Sequence, residues 1–418
     1  MRRHLFEAHL DKIFDWTDLV KSMVEGRRNP LHPWKKVFDA VFLGSACQFG
    51  TVHRIEAECN SGVFEKRIGP LSEDTIGYAL QRQSAQEVFD LGCQVVKQLK
   101  RNGVFHSDWS RGNVVAAVDG IEICSSYSRC CDSCLERNVE RNVDGQVRKC
   151  IQYYHKISAV TLVSTPFPVF LGIRFQQPGE DEVACSLALL RELVANLGKR
   201  FIDILVADAL YLQNPFTRAI ELLGLDWVIN LKDNQPNLAA EAERLTSNRQ
   251  ADYSDISAKE SLQLWHLPQV DWPVADRLIG IVKTVRTIKA NQVVVEKIDG
   301  RLVRKKTSAP KIGTDFYATN IELGAIPALF IHQLGRSRWV IDAQAFQTIT
   351  TDCNLKRPSV HKDTALVVLT MIRVLAYTLS MVFYHRQVRS HYRTAPPSFC
   401  DMARQLGYQF LALQFNSA

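Results

Sequence analysis

Two aspartates stand where short apolar runs stop. Val114-Val115-Ala116-Ala117-Val118 reads as a buried strand closed by Asp119-Gly120, and residues 201–207 read as another closed by Asp208. Carboxylates at neighbouring strand ends are the hard oxygen ligands that Mg²⁺ takes. Two such ions about 3.5–4 Å apart activate an attacking oxygen and stabilise a leaving one. A third acid is normally needed, on a later helix packed against the sheet. Asp342, one turn beyond Arg338, holds such a place. Each acid also has a plainer reading, because Asp-Gly is an ordinary turn pair and an aspartate after a strand caps a helix.

A softer cluster follows the first strand. Cys131-x2-Cys134 is followed by Cys150 and, five residues on, by His155, with the turn Asn142-Val143-Asp144-Gly145 between the pairs. Two such pairs closing over a knuckle suit a tetrahedral structural Zn²⁺. Cys124 and Cys130 are spare ligands, and His155, at the start of a strand, can equally be packed or hydrogen-bonded there. Eleven cysteines in 418 residues are too sparse for a disulfide framework, and reduced thiols suit the cytoplasm.

The elements that must hold the acids follow from periodicity. Strand-like runs at 157–164 and 169–175 are joined by Thr165-Pro166-Phe167-Pro168, and a helix follows over 182–197 with Gly198 after it. The strand before Asp208 comes next. A helix opened by Asn214-Pro215 and closed by Gly224 leads to a fifth strand over 227–231. Three strands, a helix, a strand, a helix and a strand is the layout of a ribonuclease H-like α/β fold. In it the first and fourth strands lie side by side, so their terminal carboxylates meet.

Residues 1–108 read as a helical region with scattered Lys and Arg, suited to DNA contact or to capping a neighbouring domain; Ser72 is a plausible N-cap there. Residues 250–320 read as a β-rich insertion, with strand-like runs at 263–265, 279–285, 292–295 and 302–303 separated by turns at Asn291 and Asp299-Gly300. The catalytic domain is then 109–249 with 321–394, mixed sheet flanked by helices, and 395–418 is a C-terminal tail. There is no internal repeat.

Composition narrows the classes. Hydrophobic residues at 46% and charged residues at 23% exclude disordered and fibrous chains. The net charge of +7 is concentrated: residues 277–311 hold ten Lys or Arg against only Glu296 and Asp299, so the rest is near neutral. Such a stretch, with Arg301, Arg304, Lys305 and Lys306 at its centre, suits a phosphate backbone; a lysine-rich edge that discourages strand pairing is the other reading. The opening MRRHLFEAHLDKIF lacks the apolar core of a signal peptide, and the most apolar stretch, 365–384, carries Arg373 in its middle, so a buried helix is expected rather than a membrane span. The expected compartment is the cytoplasm.

The local sequences resemble those of bacterial insertion-sequence transposases of the DDE class. Val118-Asp119-Gly120, with Cys131-Asp132-Ser133-Cys134-Leu135-Glu136-Arg137 and Tyr154-His155-Lys156 after it, resembles the first catalytic block. Val206-Ala207-Asp208-Ala209-Leu210-Tyr211, with Phe216 and Asn230-Leu231-Lys232-Asp233-Asn234, resembles the second. Gly335-Arg336-Ser337-Arg338-Trp339-Val340-Ile341-Asp342, with Phe346 beyond, resembles the third, whose signature in the insertion sequence four group is Tyr-Arg-Glu-Lys. The resemblance spans about 110–390. It implies that Asp119, Asp208 and Asp342 bind an Mg²⁺ pair (Mn²⁺ can substitute), that Arg338 lies near DNA phosphates, and that Lys232 matches a lysine usual after the fifth strand. It implies phosphoryl transfer in which water cleaves at the element's ends and the freed 3′ hydroxyl attacks a target strand. The partners implied are double-stranded DNA, as terminal repeats and target, and a second copy of the chain when two ends are synapsed, with no membrane.

Three positions depart from the signature. Gly335 stands where the tyrosine falls, Ile349 or Thr350 where the lysine falls, and Asp342 is shorter than glutamate by one methylene, about 1.5 Å. These departures define the alternative, a catalytically decayed relative that retains only DNA binding. A purely hydrolytic nuclease of the same fold is disfavoured, because the insertion and third block resemble transposases.

Overall fold

The computed structural model describes residues 6–143, 145–257, 260–298, 301–324, 326–391 and 395–415, with the backbone alone at 143, 289–298, 301–309, 391 and 412–415. The chain divides into two units, Met1–Phe201 with Trp339–Ala418, and Ile202–Arg338.

The first unit begins with six helices: α1 (Phe6–Phe14), α2 (Trp16–Lys21), α3 (Trp34–Ala46), α4 (Val52–Ser61), α5 (Glu73–Arg82) and α6 (Ala85–Arg101). Ser72 caps α5 by accepting from Thr75 N at 3.2 Å, as the sequence predicts. Four strands follow, β1 (Val115–Ser126), β2 (Leu135–Val143), β3 (Gln146–Leu162) and β4 (Val169–Phe175), and then α7 (Glu182–Leu197), capped by Asp181 accepting from Ala184 N at 2.7 Å. The long β3 pairs antiparallel with β1 along one edge; along the other it pairs with β2 at its start and β4 at its end.

The second unit runs β5 (Ile204–Ala207), α8 (Asn214–Leu222), β6 (Asp226–Leu231), α9 (Pro236–Thr246), β7 (Tyr253–Ile256), β8 (Glu260–Trp272), β9 (Arg277–Ile298), β10 (Arg301–Thr319) and α10 (Ala328–Ser337). Here β5 and β6 are parallel, whereas β6–β10, β10–β9, β9–β8 and β8–β7 are antiparallel. The sheet is therefore mixed, with α9 and α10 packed on it. The expected turn at Asn291 is absent: β9 continues through it, paired with Ser308, because its partner strand also continues and satisfies the ladder. The other expected turn, Asp299-Gly300, lies outside the described residues.

The chain then returns to the first unit through a π-helical turn, Ile341–Phe346, and the helices α11 (Gln347–Thr351), α12 (Asp363–Phe383) and α13 (Phe399–Phe415). Among the described residues one helical stretch, Asp363–Val388, is long and apolar enough to cross a membrane, but most of it is buried. It packs against α1, α3, α5, α6 and β4. Thus the N-terminal helices share a core with α12, and Phe410 of α13 packs edge-on against Phe64. The class is mixed α/β, with sheets flanked by helices, and the strand–helix order is that predicted for a ribonuclease H-like fold with one strand, β2, added after the first.

Candidate active-site acids and a thiol–imidazole cluster

In the second unit, Asp208 directly follows the fully buried β5. Its Oδ1 accepts from Leu210 N at 2.8 Å, so it caps the single turn Ala209–Tyr211 and its carboxylate plane is fixed. Ala207 is in register with Ile229 of the parallel β6, which runs on to Leu231 and delivers the exposed Lys232 at the same end. The two loops are tied, since Asn234 Nδ2 donates to Ala209 O at 2.5 Å and Gln235 Nε2 to Leu212 O at 3.1 Å. An acid and a lysine beyond the carboxyl ends of parallel strands occupy the usual ligand edge of α/β sheets.

In the first unit, Asp119 is not at a strand end. β1 runs seven residues past it to Ser126, and Asp119 marks the point where the strand changes from buried to half-exposed. The expected stop at Asp119-Gly120 fails because β3 is long enough to pair with the continuation, with a bulge between Glu122 and Cys124. Gly120 donates its N–H to Asp119 Oδ1 at 2.8 Å. A Cβ on Gly120 would lie 2.6 Å from Glu182 Cδ and 2.8 Å from Lys156 Cε, so the Lys156–Glu182 ion pair fills the space a side chain would need. Asp342 sits in the π-helical turn, which packs against β1. Single π turns interrupt α-helices often at functional positions, because the extra residue re-aims a side chain.

The rest of the third block is shaped by its neighbours. Arg338 ends α10 and is buried. Gly335 faces β10, where a Cβ would run into the ring of Tyr317. Burial and Asp315 push the Tyr317 hydroxyl up, against the opposing pull of Arg336, Arg338 and Arg286. Ile349 is fully buried in the first unit, a core position rather than a solvent-facing one.

Within the insertion, the basic residues nearest the sheet serve structure. Arg277 pairs with Glu221 at 2.7 Å, Lys283 with Glu243 at 2.8 Å, and Arg286 with Glu260. Arg301, Arg304, Lys305 and Lys306 lie on β10 opposite Ile298, Val295, Val294 and Val293; their side chains are outside those described. Trp272 is buried and donates to Gln235 Oε1 at 3.2 Å, while Trp265 donates to Arg249 O at 2.8 Å.

The sulfur cluster forms with a different fourth member. Cys131, Cys134, His155 and His361 offer ligand atoms all within 4.8 Å of one another. Cys150 does not join them: it lies on β3 opposite Val139, five residues from His155 at roughly 3.3 Å each. Cys134 comes beside His155 because Leu135 pairs with Tyr154. His361 lies in the segment before α12, and no spacing rule links it to the cysteines.

Fold and side chains together define a mixed α/β protein with acids along its strands and a separate thiol–imidazole cluster. The family described as transposase DDE domain matches residues 139–379, more than half of the chain, and the chain belongs to that family. The match includes Asp208, Lys232, Arg338 and Asp342 and begins after Asp119. No curated protein matches the chain. Among solved structures it is distantly similar to a piggyBac transposase synaptic complex with hairpin DNA, with TM-score 0.44 and 11% identity, covering 98% of this chain and 78% of that one.

Proposed function

We propose that this chain is a transposase of the insertion sequence four group that cleaves DNA at the ends of its element and joins them to target DNA. The observation that carries the reading is membership of the DDE transposase family across 139–379, with Asp208 beyond the carboxyl end of a parallel strand. Asp119, Asp208 and Asp342 are the proposed metal-binding acids. Their chemistry suits Mg²⁺ or Mn²⁺, which when bound supplies charge stabilisation at the attacking and leaving oxygens. The chain's own part is to hold the acids in fixed orientation: the Leu210 amide does so for Asp208, the Gly120 amide for Asp119, and the π turn for Asp342. Arg338 and Lys232 hold phosphates, while Arg301, Arg304, Lys305 and Lys306 track the DNA backbone, with two copies synapsing the element's ends.

A specific observation favours a second reading, a decayed copy that only binds DNA. The signature lysine position falls on the buried Ile349 or the half-buried Thr350, and the tyrosine position on a glycine that has no room for a side chain. The test is to incubate the chain with labelled element-end DNA and a target plasmid in Mg²⁺. Strand-joined products support transposition. Nicks without joining would replace it with a hydrolytic nuclease, and binding without any nick would favour the decayed copy.

A further inference from the structure

Four of the six separations among the ligand atoms of the thiol–imidazole cluster are close to those of a filled tetrahedral site, and the other two are within 4.8 Å. Cys131 Sγ and Cys134 Sγ are 3.5 Å apart, and His155 Nε2 is 3.2 Å from the first and 3.3 Å from the second. His361 Nε2 is 3.7 Å from Cys134 Sγ. A zinc ion with Zn–S of about 2.3 Å and Zn–N of about 2.0–2.1 Å sets S···S near 3.8 Å and S···N near 3.6 Å in a regular tetrahedron. These four distances differ from those values by only a few tenths of an ångström.

The surroundings also suit a soft cation. The Cys131 N–H donates to Cys134 Sγ at 3.3 Å and the Cys134 N–H to Cys131 O at 3.1 Å, closing a tight turn that keeps the two sulfurs together. His155 Nδ1 has no hydrogen-bond partner among the described residues, so the ring is oriented by packing, edge-on against Phe175 with centroids 6.1 Å apart. A second group of possible ligands among the described residues, His53, Glu56 and Glu73, is largely solvent-facing, with His53 Nδ1 3.3 Å from Glu73 and 3.8 Å from Glu56.

We propose that Cys131, Cys134, His155 and His361 hold a structural zinc ion that pins the returning segment of the first unit onto its β-sheet. Cys131 and Cys134 lie in the loop between β1 and β2, His155 is on β3, and His361 precedes α12. Ser133 N donates to Asp363 Oδ1 at 3.4 Å across 230 residues of sequence, a second tie between the same two segments. The pin therefore fastens the returning segment between α11 and α12, downstream of the π turn that carries Asp342. Binding displaces the two thiol protons and closes a very long loop, which is where a cross-link lowers unfolded-state entropy most. Thiolates select zinc over Mg²⁺, so this ion is distinct from any held by the acids. The inference does not depend on the transposase reading.

The first readout is metal content of the purified full chain, expected at one zinc per chain. Cys150→Ser keeps that content, whereas Cys134→Ser and His361→Ala lose it. Because those variants can misfold, the native chain is also stripped and refilled. Removing zinc lowers the melting midpoint, Zn²⁺ restores it and Mg²⁺ does not, and Co²⁺ gives the visible absorption of a tetrahedral thiolate site. A native chain with neither stoichiometric zinc nor a cobalt spectrum overturns the proposal. So does zinc retained by His361→Ala and lost from Cys150→Ser, and a midpoint indifferent to zinc removal overturns the pinning role.

Discussion

At the scale of single residues, the departures in the third block have local causes. Gly335 is glycine because the ring of Tyr317, reaching across from β10, takes the space beside α10. Restoring a side chain there does not restore a signature; it overpacks. Gly335→Ala is expected to destabilise the chain by about 1–3 kcal/mol in urea unfolding, and unchanged stability would mean the ring yields freely. Beside it, His332 is held at about 4 by burial and by Arg336 and Arg286, against an ordinary 6.5. Between those values the unfolded chain binds a proton that the folded chain does not, so stability rises with pH across that window and is lost on acidification. From pH 7 to pH 5 this histidine accounts for a loss of about 2 kcal/mol, and His332→Gln should remove that share. His385, held at about 4 by burial and Arg389, contributes a separate share that the variant leaves in place. An unaltered pH profile in His332→Gln would contradict the assignment. The acids were legible as residue types at the edges of apolar runs. That the chain passes straight through Asp119 was not, because pairing with the long β3 is a non-local property.

At the scale of elements, local periodicity revealed α7, β5 and β6, whose apolar faces and caps lie within one segment. It did not reveal β2, whose sequence LERNVERNV is polar and becomes a strand only because the first half of β3 pairs with it. It also broke β9 into pieces at Asn291, where only the partner strand β10 shows continuity. The apolar α12 was read correctly as buried, and Arg373 shows why a charge is tolerated inside it. Its guanidinium donates to Gly50 O at 2.9 Å, Arg357 O at 3.3 Å and Asn354 O at 3.4 Å, satisfying three loop carbonyls, and burial lowers it to about 10. Arg373→Met leaves those carbonyls without a donor and is expected to cost about 2–4 kcal/mol, read as a fall in the urea midpoint. A midpoint unchanged within error would show that water replaces the guanidinium.

At the scale of the whole molecule, the first unit is built from two stretches of chain separated by the entire second unit, so its core and its sulfur cluster form only when the returning segment docks. That is why the fourth cluster member was invisible in sequence: spacing rules see knuckles, not a histidine brought back after a long excursion. The charge asymmetry was legible, but the structure divides it. Arg277, Lys283 and Arg286 are spent on internal pairs, leaving the distal stretch around Arg304, Lys305 and Lys306 as the proposed DNA-tracking part. Replacing those three by alanine should weaken DNA binding on all sequences alike and reduce the slope of log affinity against log salt by about two to three. A slope equal to that of the native chain would place the phosphate contacts elsewhere. The central claim is metal-dependent cutting at the proposed acids, and the most direct measurement is nicking of labelled element-end DNA in Mg²⁺ or Mn²⁺. The native chain, Asp208→Ala and Asp342→Glu are compared side by side. The account predicts that the native chain nicks at the element boundary and that Asp208→Ala binds the same DNA without cutting it. A native chain that binds but stays inert until Asp342→Glu restores cutting, or an Asp208→Ala chain that cuts as well as the native one, would contradict it.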